Sequence, residues 1–145
     1  MTLDDLLPAT TDSPDATRAL GRSLAACLAP GDVLALHGGL GAGKTHLAKG
    51  VAEGLGLDPD GVTSPTFTIV HEHDAGDVLL LHLDLYRIET AGDAARLGLG
   101  ELLSGDAVAL VEWPGNAFGL LPPGTRHLRL TPLKGDTRRI ERVDP

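Results

Sequence analysis

The sequence predicts an α/β fold with a mostly parallel central sheet, antiparallel edge strands and flanking helices. Three adjoining stretches carry that expectation. Val33-Leu34-Ala35-Leu36 is an apolar run of the kind that fills a buried strand. Gly38-Gly39-Leu40-Gly41-Ala42-Gly43-Lys44-Thr45 follows it and reads G-x-x-x-x-G-K-T. Apolar residues then recur at 47, 48, 51, 52 and 55, the spacing of a helix with one buried face. Strand, glycine loop and helix in that order make the pattern a phosphate-binding loop and the fold that of a P-loop NTPase. The residue types suit the task. Glycine reaches φ > 0 and lets backbone N–H groups approach phosphate oxygens, at a helix N-terminus whose dipole favours an anion. The cradle is expected to run from Gly38 through Gly41, Ala42, Gly43, Lys44 and Thr45 to His46. Lys44 would reach the β- and γ-phosphates of a nucleoside triphosphate, and the Thr45 hydroxyl would hold Mg²⁺.

Composition narrows the setting. The 145 residues fit a single domain, 1–145, large enough to bury about two-thirds of its unfolded surface. Aromatics are 3% of the chain, so Leu, Val, Ile and Ala must build the core. A net charge of −8 argues against a protein that tracks a nucleic-acid backbone by itself. The lone Cys27 rules out a disulfide framework and reads as a small core residue. No apolar run approaches membrane-spanning length, and Met1-Thr2-Leu3-Asp4-Asp5 is too acidic for a signal peptide, so a cytoplasmic protein is expected.

Along the chain, residues 1–11 show no periodicity and read as a loose lead-in. Ser13 is an N-cap with Pro14 at the first helical position; Leu20, Leu24, Ala25 and Leu28 give the helix its buried face, and Pro30-Gly31 stops it. The start of this helix either sits beside the nucleotide base or simply packs on the sheet. After the glycine-loop helix, residues 62–71 read as a strand interrupted by Ser64-Pro65-Thr66, a place for a hydroxyl that senses the γ-phosphate or an ordinary start to a strand. Asp74-Ala75-Gly76-Asp77 is a hairpin turn, so the strand Val78-Leu79-Leu80-Leu81-His82-Leu83-Asp84 should run antiparallel to the one before it. Aliphatics ending in an acid mark the second carboxylate of a nucleotide–metal site, here Asp84. His71-x-His73 faces His82-x-Asp84, but with no thiolate and no closed ligand set a zinc site is disfavoured.

Residues 89–103 read as short helices, with Leu97, Leu99, Leu102 and Leu103 inward. Asp106-Ala107-Val108-Ala109-Leu110-Val111 is another buried strand, and Glu112 at its C-terminal end points toward the ligand crevice of an open sheet. It is a candidate to orient water or join the metal shell, with a solvated strand-end acid as the bland alternative. Residues 116–124 read as a loop. Residues 126–130 and 138–143 form a charged hairpin closing one edge of the sheet, its arginines either a solvated edge, a docking face, or in Arg138 a reach toward phosphates.

Taken together, Leu40-Gly41-Ala42-Gly43-Lys44-Thr45, Ser64-Pro65-Thr66-Phe67-Thr68, His82-x-Asp84-Leu85-Tyr86-Arg87 and Glu112-Trp113-Pro114 resemble the bacterial ATPase family of tRNA threonylcarbamoyladenosine biosynthesis, TsaE or YjeE. The likeness covers nearly the whole chain, in order. It implies ATP and Mg²⁺ as cofactors and the TsaD and TsaB subunits as partners, which modify adenosine 37 of tRNA. ATP binding would drive docking, hydrolysis would reset the complex, and tRNA would be met only indirectly. It implies that Gly41 to Thr45 bind phosphates, that Lys44, Asp84 and Glu112 serve hydrolysis, and that Thr45, Asp84 and Glu112 form the metal site. Thr66 would be the sensor, Thr17 would lie near the base, and Trp113 would adjoin the nucleotide or the partner. The family usually has Asp where Gly39 stands, a second Thr at His46, a Tyr near His73, and acidic residues where Ala94 and Ala95 stand.

Two other function classes remain to be weighed. A small-molecule kinase of this fold usually has an arginine-rich lid, whereas the stretch between Asp84 and Asp106 holds only Arg87 and Arg96. A nucleotide-gated binding module without turnover would not need both Asp84 and Glu112.

Overall fold

The computed structural model describes residues 2–39, 41–62, 70–74 and 76–144, the side chains of 116–118 excepted. In chain order the elements are α1 (Leu3–Leu6), β1 (Ala9–Thr11), α2 (Pro14–Ala25), β2 (Val33–His37), α3 (Lys44–Gly54), β3 (Val70–Asp74) and β4 (Leu79–Asp84). There follow α4 (Ala91–Arg96), α5 (Leu99–Leu103), β5 (Val108–Glu112), β6 (Arg126–Pro132) and β7 (Arg138–Val143). Among the described residues seven strands form one sheet, in the order β1-β7-β6-β2-β5-β4-β3. The centre is parallel: β2 pairs with β5 and β6, and β5 with β4. The antiparallel pairs lie outward, as β3–β4, β6–β7 and β1–β7. The expected α/β class and its mixed sheet are therefore observed.

The core has two halves, one on each face of the sheet. Leu34, Leu36, Leu80, Leu110 and Leu128 turn toward α2 and α3, where Leu24, Leu47 and Val51 meet them. Val33, Leu81, Leu83, Ala109 and Val111 turn the other way, onto Leu99 and Leu103 of α5. A strand covered on both faces reads as continuous apolar sequence, which is why β2 and β5 lack alternation.

The backbones of α2 and α3 touch. A Cβ on Gly50 would lie 2.0 Å from the Arg18 carbonyl oxygen, and one on Gly21 would lie 2.4 Å from that of Leu47. Two ion pairs add to this contact, from Arg18 and Arg22 to Glu53, the second at 2.7 Å.

Several expectations need correction. Residues 1–11 are not a loose lead-in: Leu3 is buried and β1 pairs with β7 through Ala9↔Ile140 to Thr11↔Arg138. A three-residue strand is too short to show a period, and its partner lies at the other end of the chain. The β6–β7 hairpin forms, but it does not close the sheet, because β6 lies beside the central β2 and β1 covers β7. Leu97 follows the last turn of α4 and is 47% exposed, while Leu99 and Leu103 are buried. The expected loop at 116–124 opens with a 3₁₀ turn over Gly115–Leu120.

Gly50→Ala separates two opposing effects. Helix propensity alone would stabilise α3 by about 1 kcal/mol, whereas a methyl forced against the Arg18 carbonyl costs ~1–3 kcal/mol. Packing should win, so the urea midpoint should fall; a variant more stable than the parent would contradict the backbone contact.

Candidate functional site

Strand register builds the site. Leu36 of β2 pairs with Glu112 of β5, and Glu112 pairs with Asp84 of β4. The two carboxylates therefore stand on neighbouring strands, on one face, where the parallel strands end. Both are buried, Asp84 at 4% and Glu112 at 3% exposure. Asp84 Oδ1 accepts the Tyr86 N–H at 2.9 Å, which turns the chain away from the sheet after the acid. Glu112 Oε2 lies 2.5 Å from His82 Nε2.

Across this row, the loop after β2 delivers α3. Gly43 is its N-cap at φ 97, a left-handed conformation that a side chain would strain. Lys44 is the first helical residue. Its Nζ donates to the Gly38 carbonyl at 2.8 Å and lies 3.7 Å from the centre of the Trp113 ring. Burial pushes the Lys44 ammonium below its ordinary pKa, and the nearby Glu112 and Asp84 carboxylates pull it back up. A cation and two anions thus share one desolvated corner.

Two further elements wall the hollow. Ser13 Oγ caps α2 by accepting the Ala16 N–H at 3.0 Å, and the helix begins with Pro14. One turn in, Thr17 is buried, its hydroxyl 2.7 Å from that of Thr11 in β1. Opposite, Arg138 at the start of β7 donates to the carbonyls of Gly41 at 3.1 Å, Gly135 at 2.8 Å and Thr137 at 3.0 Å. The guanidinium is therefore pinned against the glycine loop.

Together these surround a cleft of about 310 Å³. Of the residues expected in a site, it brings together Thr17, Gly41, Ala42, Gly43, Lys44 and Thr45. His46, Asp84, Glu112 and Trp113 complete the expected set. Gly38 is not on this wall; its carbonyl holds Lys44, and it lines a neighbouring groove of about 490 Å³ with Leu85, Tyr86 and Ile88. Thr66 lies outside the described residues. Asp136 joins the cleft without any signal in the sequence, since only the sheet order carries the β6–β7 turn there. The helix packs on α3 and on the sheet, and at its start Pro14 and Thr17 line the cleft.

Trp113 divides the cleft from the groove and lines both. Its backbone stands at φ 54, the one left-handed non-glycine among the described residues. Its ring lies 4.9 Å from that of Tyr86, which is 56% exposed. Such strain in a bulky residue is held by its surroundings and is common at sites.

This geometry can be set beside known proteins. Residues 11–140 match the family model described as Threonylcarbamoyl adenosine biosynthesis protein TsaE. The chain belongs to that family. The TsaE family takes part in tRNA threonylcarbamoyladenosine biosynthesis, and its curated members include the protein of Bacillus subtilis, 50% identical over 130 residues, 90% of this chain and 80% of that one. The protein of that name from Streptomyces coelicolor is 44% identical over 123 residues, covering 83% and 82%. Among solved structures, the crystal structure of Bacillus subtilis YdiB is 39% identical and superposes with a TM-score of 0.75 over 92% of this chain and 82% of that one. Among the described residues no helix is long and apolar enough to cross a membrane.

At the foot of the glycine loop, His37 Nε2 and His127 Nδ1 lie 2.8 Å apart across β2 and β6. Burial holds both below the ordinary value of 6.5; for His37 the neighbouring His127 is the next cause, while for His127 the Asp144 carboxylate pulls partly back up. The folded chain therefore binds fewer protons than the unfolded one just below that value. Stability contributed here is complete above the ordinary value of ~6.5 and is lost as the pH falls below it. Urea unfolding from pH 7.5 to 5 should show that decline, with a shallower slope for His127→Gln.

Proposed function

We propose that the chain binds ATP with Mg²⁺ in this cleft and hydrolyses it slowly, as an accessory ATPase that acts on the TsaD–TsaB pair in the cytoplasm. The observation that carries this reading is the buried meeting of Lys44 with Asp84 and Glu112 at the mouth of the glycine loop. Phosphoryl transfer asks a protein mainly for positioning and charge stabilisation, and these are the groups that supply both. The donor set also fits the metal. Mg²⁺ takes one or two carboxylates, phosphate oxygens and water rather than a full protein cage. Among the described residues no group of three or more His, Cys, Asp or Glu stands ready to hold a metal, while Thr45, Asp84 and Glu112 all line the cleft.

In this reading Lys44 leaves the Gly38 carbonyl for the β- and γ-phosphates, and the loop N–H groups hold the remaining oxygens. Thr45 and Asp84 would hold Mg²⁺, which would supply charge stabilisation to the phosphates. Glu112 orients water for in-line attack: the oxygen of that water bonds to the γ-phosphorus as the bond to the β–γ bridging oxygen breaks, and the proton of the water leaves to solvent or to the released phosphate alongside ADP. Arg138 adds a positive charge at the cleft wall, and Thr17 and Trp113 bound the rest of the nucleotide. An acidic chain suits a role in which the partners, not this protein, hold tRNA.

A small-molecule kinase is the second reading, and the groove beside Trp113 would be its acceptor site. Leu85, Ile88, Trp113 and Pro114 give that groove an apolar lining poorly suited to a charged metabolite.

ADP release from ATP, measured with the purified chain alone and with TsaD–TsaB added, separates the readings. Weak turnover raised by the pair supports the accessory ATPase. Stimulation by a small metabolite in their absence would move the assignment to the kinase, and bound ATP without turnover would leave a nucleotide-gated module. Lys44→Ala should lower turnover by ~10²–10³-fold. Glu112→Ala should slow hydrolysis while nucleotide still binds; loss of binding would make Glu112 chiefly a ligand. Arg138→Ala should weaken nucleotide binding, and unchanged affinity in a titration would assign that guanidinium to the loop alone.

A further inference from the structure

We infer that His82 is the positioning residue for Glu112, holding one carboxylate oxygen so that the other is presented to the cleft. The inference rests on the hydrolytic reading of Glu112 given above.

His82 is fully buried beside two fully buried leucines, Leu80 on the same face of β4 and its partner Leu110 on β5, with His71 opposite it on β3. A polar ring there carries a desolvation cost unless its polar atoms are used. One of them is: Nε2 lies 2.5 Å from Glu112 Oε2, with the two side chains 0% and 3% exposed. Among the described residues the other, Nδ1, has no hydrogen-bond partner. A ring placed to satisfy the fold would use both nitrogens; this one uses only the nitrogen that reaches Glu112.

The bond also settles the chemistry of each end. A carboxylate only accepts, so His82 Nε2 is the donor of this bond and Glu112 Oε2 the acceptor. Among the described residues this is the hydrogen bond made by the Glu112 side chain, so Oε1 remains for a water or a metal-bound ligand in the cleft that Glu112 lines. A glutamate has three side-chain torsions, and fixing one oxygen from behind removes most of that freedom. The same logic operates where a partner behind a ligand or base sets its orientation and its loss costs ~10–100-fold in activity. Register makes the pairing possible: His82 and Asp84 share a face of β4, and Glu112, directly opposite Asp84, lies diagonal to His82.

The test uses side chains of different reach. A glutamine amide nitrogen sits near the Nε2 position, whereas an asparagine amide reaches only the Nδ1 position. With ATP, Mg²⁺ and TsaD–TsaB present, His82→Gln should stay within about fivefold of the parent, while His82→Asn and His82→Leu should lose ~10–100-fold in kcat with nucleotide Kd changed less than about threefold. In a Glu112→Gln background, His82→Leu should add no further loss, because the two residues act as one unit. Leucine at parental turnover would overturn the inference. So would a glutamine variant as slow as the asparagine one, or losses that add in full. A parent that binds ATP without turnover would instead overturn the hydrolytic reading itself, and this inference with it.

Discussion

The parallel pairing of β2, β5 and β4 sets Leu36, Glu112 and Asp84 side by side where the strands end. Neighbouring strands lie about 4.8 Å apart, so two buried carboxylates on adjacent strands repel unless a cation joins them. Lys44 brings a positive charge near both, and its place is set by a series of contacts that begins far away. The Thr11–Thr17 hydroxyl pair ties α2 to β1, the glycine contact seats α3 on α2, and Gly43 turns the chain so that Lys44 enters the helix beside the acids. The short β1 at the sheet edge is thus part of what positions a lysine at the centre.

What the sequence showed and what it did not follow from the range of each interaction. The β2–loop–α3 unit was legible because its signals are local: an apolar run, a glycine pattern and a helical period. Ser13 and Pro14 marked the start of α2 for the same reason. Asp84 and Glu112 were legible singly, as acids ending buried strands. Their adjacency was not, since it needs β5 to lie between β2 and β4, and no local pattern carries strand order. The hairpin of β6 and β7 was legible as a hairpin, yet its seat beside β2 decides that Arg138 and Asp136 reach the cleft. His82 was visible only as half of a histidine pair facing His71. Register places those two opposite each other, but the ring turns to Glu112, a choice made by packing between strands.

Family membership and geometry constrain different things. The match over residues 11–140 begins at Thr11, the last residue of β1, and ends at Ile140 within β7, so its two ends pair with neighbouring partners in the sheet. The strands that close the fold are therefore also the limits of the shared pattern. Between those limits lie the row of acids and the glycine loop.

Trp113 has a consequence of a different kind. It is the only tryptophan in the chain, and the ammonium of Lys44 rests over its ring at 3.7 Å. Indole emission responds to nearby charge and to solvent. The protein therefore carries a built-in optical probe at the partition between its two hollows, and any event that lifts Lys44 from that ring is written into the emission of a single indole.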